Sequence, residues 1–292
     1  MTKKALLVGI NDYAPAGPGG PDLHGCVNDV KDFANTLGAL NIVPILPSSM
    51  RILTDRNATR VNILGGLKWL LSGAKSGDVC VFYYSGHGTY VVDTSGDEEL
   101  DKKDEAICPH DFATAGPITD DDIRTVLSGI PVGVNVDVFL DSCFSGTATR
   151  LMVDTLPSPG LGESVTTRPV TVRFVEPPAE QSIFADAAPM LPVKGILATD
   201  GRGSRDAVVV PSLNHVLWSG CRDNELSGEG NIGGEVRGFF TYAFCKCLRG
   251  AGVNVIRAKL DSQVSLYLSK MGASQHPQTE GTKASLHEKV FT

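Results

Sequence analysis

The sequence predicts an α/β fold with a mostly parallel central sheet and helices on both faces. Two observations predict it. Apolar segments of strand length alternate with segments whose apolar residues have helical spacing. Each predicted strand is also joined to the next one by a predicted helix. This alternation is typical of parallel sheets, because a crossover helix returns the chain to the starting end of the sheet. The strongest predicted strands are residues 3–10, 77–88 and 134–143.

The connecting elements follow in chain order. Apolar residues at helical spacing predict a helix over 26–40, and a short strand is predicted at 51–54. A second helix is predicted over 58–74, weakened by its adjacent glycines. A third is predicted over 119–130, with a threonine cap and carboxylates in its first turn, where the helix dipole favours negative charge.

The second half of the chain has a different character. Residues 151–192 are rich in Pro, Ser, Thr and Val and predict a long loop or linker, with a short hairpin at PVTVRFV. Regular patterning then returns. It predicts two strands at 194–200 and 215–221, a glycine-rich loop at 228–238, and two helices at 239–250 and 254–271.

Composition narrows the class of protein. The 292 residues are 42% hydrophobic and 20% charged, an ordinary globular balance, and the net charge of −7 argues against a nucleic-acid binder. No apolar run reaches membrane length or resembles a signal peptide, so we expect a cytoplasmic protein without membrane contact. Seven cysteines without a CxxC pair argue against a disulfide framework and a structural zinc site.

A histidine and a cysteine follow two of the predicted strands. His87 lies between two glycines after VFYYSG, and Cys143 follows VDVFLDS. In parallel sheets, sites form at the carboxyl ends of the strands, so both side chains should face one edge. The imidazole would lower the pKa of the thiol and later protonate a leaving amine. The N–H groups of Gly88 and Cys143 would stabilise an oxyanion, although either side chain taken alone is more often structural.

These motifs resemble those of a known family. YYSGHG and DSCFSG are similar to the histidine and cysteine motifs of the metacaspases and orthocaspases, and LLVGINDY, LHGCVNDV, DEAICPHDF and ITDDDI resemble other metacaspase segments in the same order. The resemblance implies a caspase-like three-layer sandwich and a cysteine endopeptidase. It also implies one catalytic domain, with a large-subunit-like region at 1–150, a linker and possible processing region at 151–192, and a small-subunit-like region at 193–292.

The residues before the nucleophile predict the substrate. Caspases, which cleave after aspartate, usually carry glutamine two residues before the cysteine, whereas this chain has Asp141 there. A carboxylate at this place would repel an acidic side chain and attract arginine or lysine. The resemblance implies the same specificity and assigns Asp29 and Asp141 to the S1 pocket. Alternatively, Asp29 is a solvated helix residue and Asp141 caps the strand end.

Calcium is a further implication of the resemblance. In calcium-activated metacaspases, one ligand lies at the position of Asp104 and two lie at those of Asp120 and Asp121. The fourth position holds Arg150 here, which departs from the pattern. The acidic stretch DTSGDEELDKKDE is rich in the oxygen ligands that Ca²⁺ prefers, but such a run is as often a solvated loop. No organic cofactor is implied.

The remaining predictions concern processing and partners. A protease specific for basic residues could cut its own linker at Arg150, Arg168 or Arg173, and no site is preferred. Weaker candidates are Cys26 and Cys221, expected to pack near the site, and Asp223 and Asn224, which could line the cleft. We expect a monomer acting on peptides or proteins with a basic P1 residue. The alternatives are a catalytically silent scaffold that binds partners and an asparagine-specific peptidase.

Overall fold

The computed structural model describes residues 1–14, 22–92, 103–144, 170–175, 208–209, 213–222 and 225–292. Its strands are β1 (Lys3–Gly9), β2 (Met50–Thr54), β3 (Val79–Ser85), β4 (Gly88–Val92), β5 (Lys103–Ile107), β6 (Ile118–Thr119), β7 (Asn135–Asp141), β8 (Thr171–Val172), β9 (Val208–Val209), β10 (Val216–Ser219), β11 (Gly228–Ile232), β12 (Glu235–Gly238) and β13 (Gln278–Gly281). Its helices are α1 (Cys26–Ala39), α2 (Arg60–Leu71), α3 (Phe112–Ala115), α4 (Asp120–Leu127), α5 (Phe239–Ala251), α6 (Arg257–Met271) and α7 (Lys283–Leu286).

A seven-stranded sheet forms the centre of the protein, in the order β2-β1-β3-β7-β10-β13-β9. Every neighbouring pair in it is parallel except β10 and β13. Two smaller sheets, β4-β5-β6 and β8-β11-β12, lie outside it. The mostly parallel α/β sandwich predicted from the alternation of elements is confirmed.

The central sheet carries a hydrophobic core on each face. On one face, the aromatic side chains of α1 and α5 pack on those of the sheet, and Phe33, Phe139, Trp218 and Phe244 have ring centroids 4.9 to 5.8 Å apart in their contacting pairs. On the other face, α2 and α4 bury their leucines and isoleucines. Burying one such side chain stabilises the fold by about 1.5–3 kcal/mol, so both layers of helices are anchored to the sheet.

Two sequence predictions about the second half of the chain are wrong. The glycine-rich stretch at 228–238 is not a loop but the hairpin of β11 and β12, turned by Gly233 and Gly234 at φ of 63° and 94°. A Gly-Gly pair suits such a turn because both positions need positive φ. The hairpin predicted around PVTVRFV does not form in residues 170–175: β8 pairs with β11. The strand predicted at 194–200 lies outside the described residues.

Strands β5 and β13 were not predicted because charged and polar residues interrupt their apolar alternation. Strand β4 was not predicted because its alternation is too short to stand out. Among the described helices, none has the length and the apolar character that crossing a bilayer would require.

Candidate active site

His87 and Cys143 lie at the same edge of the central sheet. Strands β3 and β7 are neighbours, and Ser85 is paired in register with Asp141. The histidine follows Ser85 by two residues and the cysteine follows Asp141 by two, so the chain brings both to the carboxyl ends of adjacent strands. Both are buried, with relative exposures of 3% and 0%.

Two tyrosines position the backbone of His87. The N–H of His87 donates to the hydroxyl of Tyr13 at 2.7 Å, and the hydroxyl of Tyr84 donates to the carbonyl oxygen of His87 at 2.7 Å. The rings of Tyr13 and His87 also pack with their centroids 5.0 Å apart. Burial raises the pKa of both tyrosines well above its usual value, so both hydroxyls keep their protons.

The thiol of Cys143 lies against the loop that precedes β11. Its Sγ donates to the carbonyl oxygen of Ser227 at 3.0 Å, and the N–H of Ser227 lies 2.6 Å from the same sulfur. A hydrogen bond to Cys143, together with burial, raises the pKa of the Cys221 thiol, and burial raises that of Cys26. Both thiols therefore stay protonated, and both are buried near this edge.

A carbonyl oxygen of the chain itself lies between two backbone donors at this edge. The carbonyl oxygen of Arg173 accepts hydrogen bonds from the N–H of Gly88 at 2.9 Å and from the N–H of Cys143 at 3.2 Å. A Cβ at position 88 would collide with the carbonyl oxygen of Cys143, which explains the need for glycine there. Two converging N–H groups around one carbonyl oxygen have the geometry of an oxyanion hole.

Residues 170–175 cross this edge in an extended conformation. The segment β8 pairs with β11, and the N–H of Arg173 donates to the carbonyl oxygen of Ser227 at 3.2 Å. Beyond the arginine, Phe174 forms a parallel bridge with Gly88, and the N–H of Val175 donates to the carbonyl oxygen of Gly88 at 3.0 Å. Addition of a strand to exposed backbone is a common way to bind an extended peptide.

The side chain of Arg173 lies in a pocket of three carboxylates. Its guanidinium is 2.6 Å from Asp29, 3.0 Å from Asp141 and 3.2 Å from Glu229. All four side chains are buried. Sequence reasoning named Asp29 and Asp141 for such a pocket, and the structure brings the two together on one guanidinium. The sequence analysis did not identify Glu229 as part of the pocket. The feature that could have indicated it is an acidic residue placed between two glycines of the hairpin.

The fold holds each carboxylate with further donors. Asp141 accepts from the hydroxyl of Ser227 at 2.7 Å and from that of Thr241 at 2.6 Å. Asp29 accepts from the N–H of Gly238 at 2.9 Å. Glu229 accepts from the N–H groups of residues 24 and 25 at 2.7 and 3.1 Å, just before α1. These bonds orient the pocket, so it does not depend on the arginine alone for its shape.

The pocket carries more negative than positive charge. Burial raises the pKa of Asp29 to about 6, with Arg173 lowering it and Asp141 raising it further. Burial alone would lower the pKa of Arg173, but Asp141 and the other acids hold it well above its usual value. Burying a carboxylate without a partner costs free energy. Three carboxylates that converge in one pocket therefore favour binding of a guanidinium, which is always charged.

The residues that the resemblance assigns to calcium do not form a calcium site in the described part of the chain. Arg124 binds two of them, with its guanidinium 2.6 Å from Asp120 and 2.7 Å from Asp121. Asp104 lies on β5, opposite Val91. Within the residues that the structure describes, no group of three His, Cys, Asp or Glu side chains could hold a metal ion. Most of the acidic stretch at 93–105 lies outside the described residues, so calcium binding stays a prediction.

Several other candidates lie outside the described residues. They are Asp223 and Asn224, proposed for the cleft, and the processing candidates Arg150 and Arg168.

Comparison with known proteins adds independent findings. Residues 3–152 match the family described as "Metacaspase, peptidase C14 domain". The protein named Metacaspase-1 of Ajellomyces capsulatus is 33% identical, over 94% of this chain and 80% of its own length. Metacaspase-1 of Pyricularia oryzae is 31% identical, over 90% of this chain and 69% of its own length. A crystal structure from Geobacter sulfurreducens covers 100% of this chain and 99% of its own, with a TM-score of 0.65 and 24% identity, a likeness of fold.

Proposed function

Because the chain belongs to the metacaspase family of cysteine peptidases, we propose that it is an endopeptidase that cleaves peptide bonds after arginine or lysine. One observation carries the proposal: Arg173 is bound as a P1 residue would be. Its guanidinium lies among three buried carboxylates while its carbonyl oxygen accepts two backbone hydrogen bonds beside Cys143. An acidic P1 side chain would face repulsion in the same pocket.

The first half of the reaction forms a thioester. His87 removes the proton from the Cys143 thiol, and the sulfur attacks the carbonyl carbon of the P1 residue. The N–H groups of Gly88 and Cys143 donate to the oxygen that becomes negatively charged. When the bond from carbon to nitrogen breaks, His87 returns the proton to the leaving amine.

The second half releases the acid product. Water replaces the amine, and His87 removes a proton from it as it attacks the thioester carbon. The bond from sulfur to carbon breaks, and Cys143 leaves as the thiolate or regains a proton from the imidazole. The same two N–H groups stabilise the second oxyanion, so one site serves both steps.

The occupied cleft also favours self-cleavage at a defined bond. With Arg173 as P1, the bond to be cut joins Arg173 to Phe174. The sequence alone preferred none of three arginines. We therefore propose that the bound segment 170–175 is the first substrate of the enzyme, and that it blocks the cleft until it is cut and leaves.

Internally quenched peptides test the specificity. Peptides that differ only in carrying Arg, Lys or Asp at P1 should be hydrolysed in the first two cases, because only these offer a cation to the pocket. The Cys143→Ala variant should lose all turnover, whereas Cys247→Ala, at a half-exposed cysteine on α5, should retain it. Preference for the Asp peptide would refute the charge argument, and turnover by Cys143→Ala would refute the nucleophile.

One observation favours a second candidate, the silent scaffold. The cleft is filled by the chain's own segment, as expected of a protein that never admits a substrate. An Arg-based inhibitor that alkylates thiols separates the two. A protease should be labelled at Cys143 once residues 170–175 are released, whereas a scaffold should stay unlabelled even when Arg173→Gln frees the pocket.

A further inference from the structure

We propose that Tyr90 forms a subsite that selects an aromatic residue at P1′, directly after the cleaved bond. The inference rests on the proposed cleavage after a basic residue and extends it to the other side of that bond. Its basis is the contact between Tyr90 on β4 and Phe174, which follows the arginine in the bound segment. No sequence motif pointed to this tyrosine.

The backbone fixes where a P1′ side chain must go. Phe174 pairs with Gly88 in a parallel bridge. The N–H of Gly88 donates to the carbonyl oxygen of Arg173, and the N–H of Val175 donates to the carbonyl oxygen of Gly88. These bonds involve main-chain atoms only. A peptide of any sequence can therefore adopt the same path, provided that its P1 carbonyl enters the same pair of donors.

Alternation along β4 then brings the two rings together. Residues two apart on a strand project from the same face, so Tyr90 shares a face with Gly88, the residue opposite Phe174. The two rings are stacked, with centroids 6.3 Å apart and an interplanar angle of 23°.

Tyr90 stands on a supported strand rather than on a free loop. Strand β4 pairs along five residues with β5, and Glu105 lies opposite Tyr90. Both Tyr90 and Phe174 are half-buried, so the stacked pair forms part of the rim of the cleft. A ring that is already in place binds another ring at small entropic cost, which is what makes a subsite selective.

The expected size of the effect is modest and measurable. Stacked or tilted aromatic pairs contribute a small free energy beyond that of burying their surface area. This free energy converts to a preference for an aromatic P1′ residue of about 3- to 10-fold in kcat/KM. The preference should distinguish an aromatic ring from an aliphatic side chain of similar hydrophobicity. It should act on P1′ only and leave the requirement for a basic P1 residue unchanged.

The test uses the self-processed enzyme and internally quenched peptides with the sequence Val-Thr-Val-Arg-X-Val. The residue X is Phe, Leu or Ala, and kcat/KM is measured for the wild type, Tyr90→Phe and Tyr90→Ala. We expect the wild type and Tyr90→Phe to cleave the Phe peptide about 3- to 10-fold faster than the Ala peptide, with the Leu peptide between them. Tyr90→Ala should cleave the Phe and Ala peptides at equal rates, because the ring that favours Phe is gone.

The outcomes separate this inference from the proposed function. If peptides with Arg at P1 are cleaved but Phe gives no advantage, or its advantage persists in Tyr90→Ala, the subsite is overturned and the specificity for arginine stands. If no Arg peptide is cleaved whatever X is, both are overturned. Should Tyr90→Ala fail to fold, the three peptides on the wild type and Tyr90→Phe decide, because equal rates for Phe and Leu would contradict stacking.

Discussion

The carbonyl oxygen of Arg173 accepts a hydrogen bond from the N–H of Cys143 at 3.2 Å, as a P1 carbonyl would in the proposed reaction. This hydrogen bond links a residue of the region predicted as a linker to the candidate catalytic centre. Arg173 is held at both its backbone and its side chain. The carbonyl oxygen contacts Cys143, and the buried guanidinium forms ion pairs with three carboxylates.

Replacing Arg173 by glutamine should stop cleavage between residues 173 and 174. The amide carries no charge to balance the three carboxylates, so the segment should leave the pocket. Mass spectrometry of the wild type should find a fragment that begins at Phe174, which should be absent from Arg173→Gln and present in Arg173→Lys. A fragment starting at the same residue in Cys143→Ala would show that another protease made the cut.

Replacing Glu229 by glutamine should lower kcat/KM for Arg peptides by about 10- to 100-fold, the range for losing one charge-assisted hydrogen bond in a buried place. The amide keeps the shape of the side chain, so the unfolding midpoint serves to check the fold. Glu235→Gln is the matched control on the same hairpin, because Glu235 is exposed and its ion pair with Arg237 lies outside the pocket. An equal loss of kcat/KM in both variants would show that Glu229 has no specific role in the pocket.

The contribution of His215 to stability should fall between pH 6.5 and pH 4, while the raised pKa of Asp29 acts in the opposite direction below about pH 6. Burial lowers the pKa of His215 from 6.5 to about 4, with Asp137 acting in the opposite direction. In this interval the histidine binds a proton in the unfolded chain but not in the folded protein, so its contribution to the free energy of unfolding decreases as the pH falls, by up to about 3 kcal/mol.

Urea titrations at a series of pH values measure this effect. His215→Gln should remove this contribution from the profile between pH 6.5 and pH 4, whereas His287→Gln, at an exposed histidine, should reproduce the wild-type slope. An unchanged profile in His215→Gln would assign the acid sensitivity to other groups.

A buried ion pair on the sheet should be important for stability. The guanidinium of Arg257 binds Asp137 at 3.0 Å, and Asp137 also accepts from the indole of Trp218 at 3.0 Å. Arg257→Met leaves the carboxylate buried without its cation, which should cost about 3–5 kcal/mol in the free energy of unfolding. Arg60→Met removes a partly exposed pair with Asp122 and should cost about 0–1 kcal/mol. Similar costs for the two variants would contradict this difference in burial.

Calcium should change the activity little. The resemblance implies Asp120 and Asp121 as ligands, but Arg124 already neutralises both through hydrogen-bonded ion pairs on α4. Hydrolysis of Arg peptides is measured in chelator and in rising Ca²⁺, with Arg124→Gln beside the wild type. A strong activation of the wild type would confirm the calcium prediction and show that residues other than these complete the site.

Local patterns predicted much of the framework. The apolar periods of β1, β3 and β7 were visible in the sequence, and so was the capped start of α4, where Thr119 and Asp122 form a reciprocal capping box. Strand β8 was not predicted as part of the active site, because two residues paired with a distant hairpin leave no periodic signal. The same holds for β4, whose alternation is too short to stand out.

By itself the sequence determined the fold class and the placement of His87 and Cys143 at strand ends on one edge of the sheet, since both depend on the spacing of residues close together along the chain. Only the tertiary structure decided that Arg173 lies among Asp29, Asp141 and Glu229. Those four side chains come from segments up to 200 residues apart. The electrostatic attraction between them becomes strong only after packing has removed the water between the charged groups. The local sequence around each residue does not predict that packing.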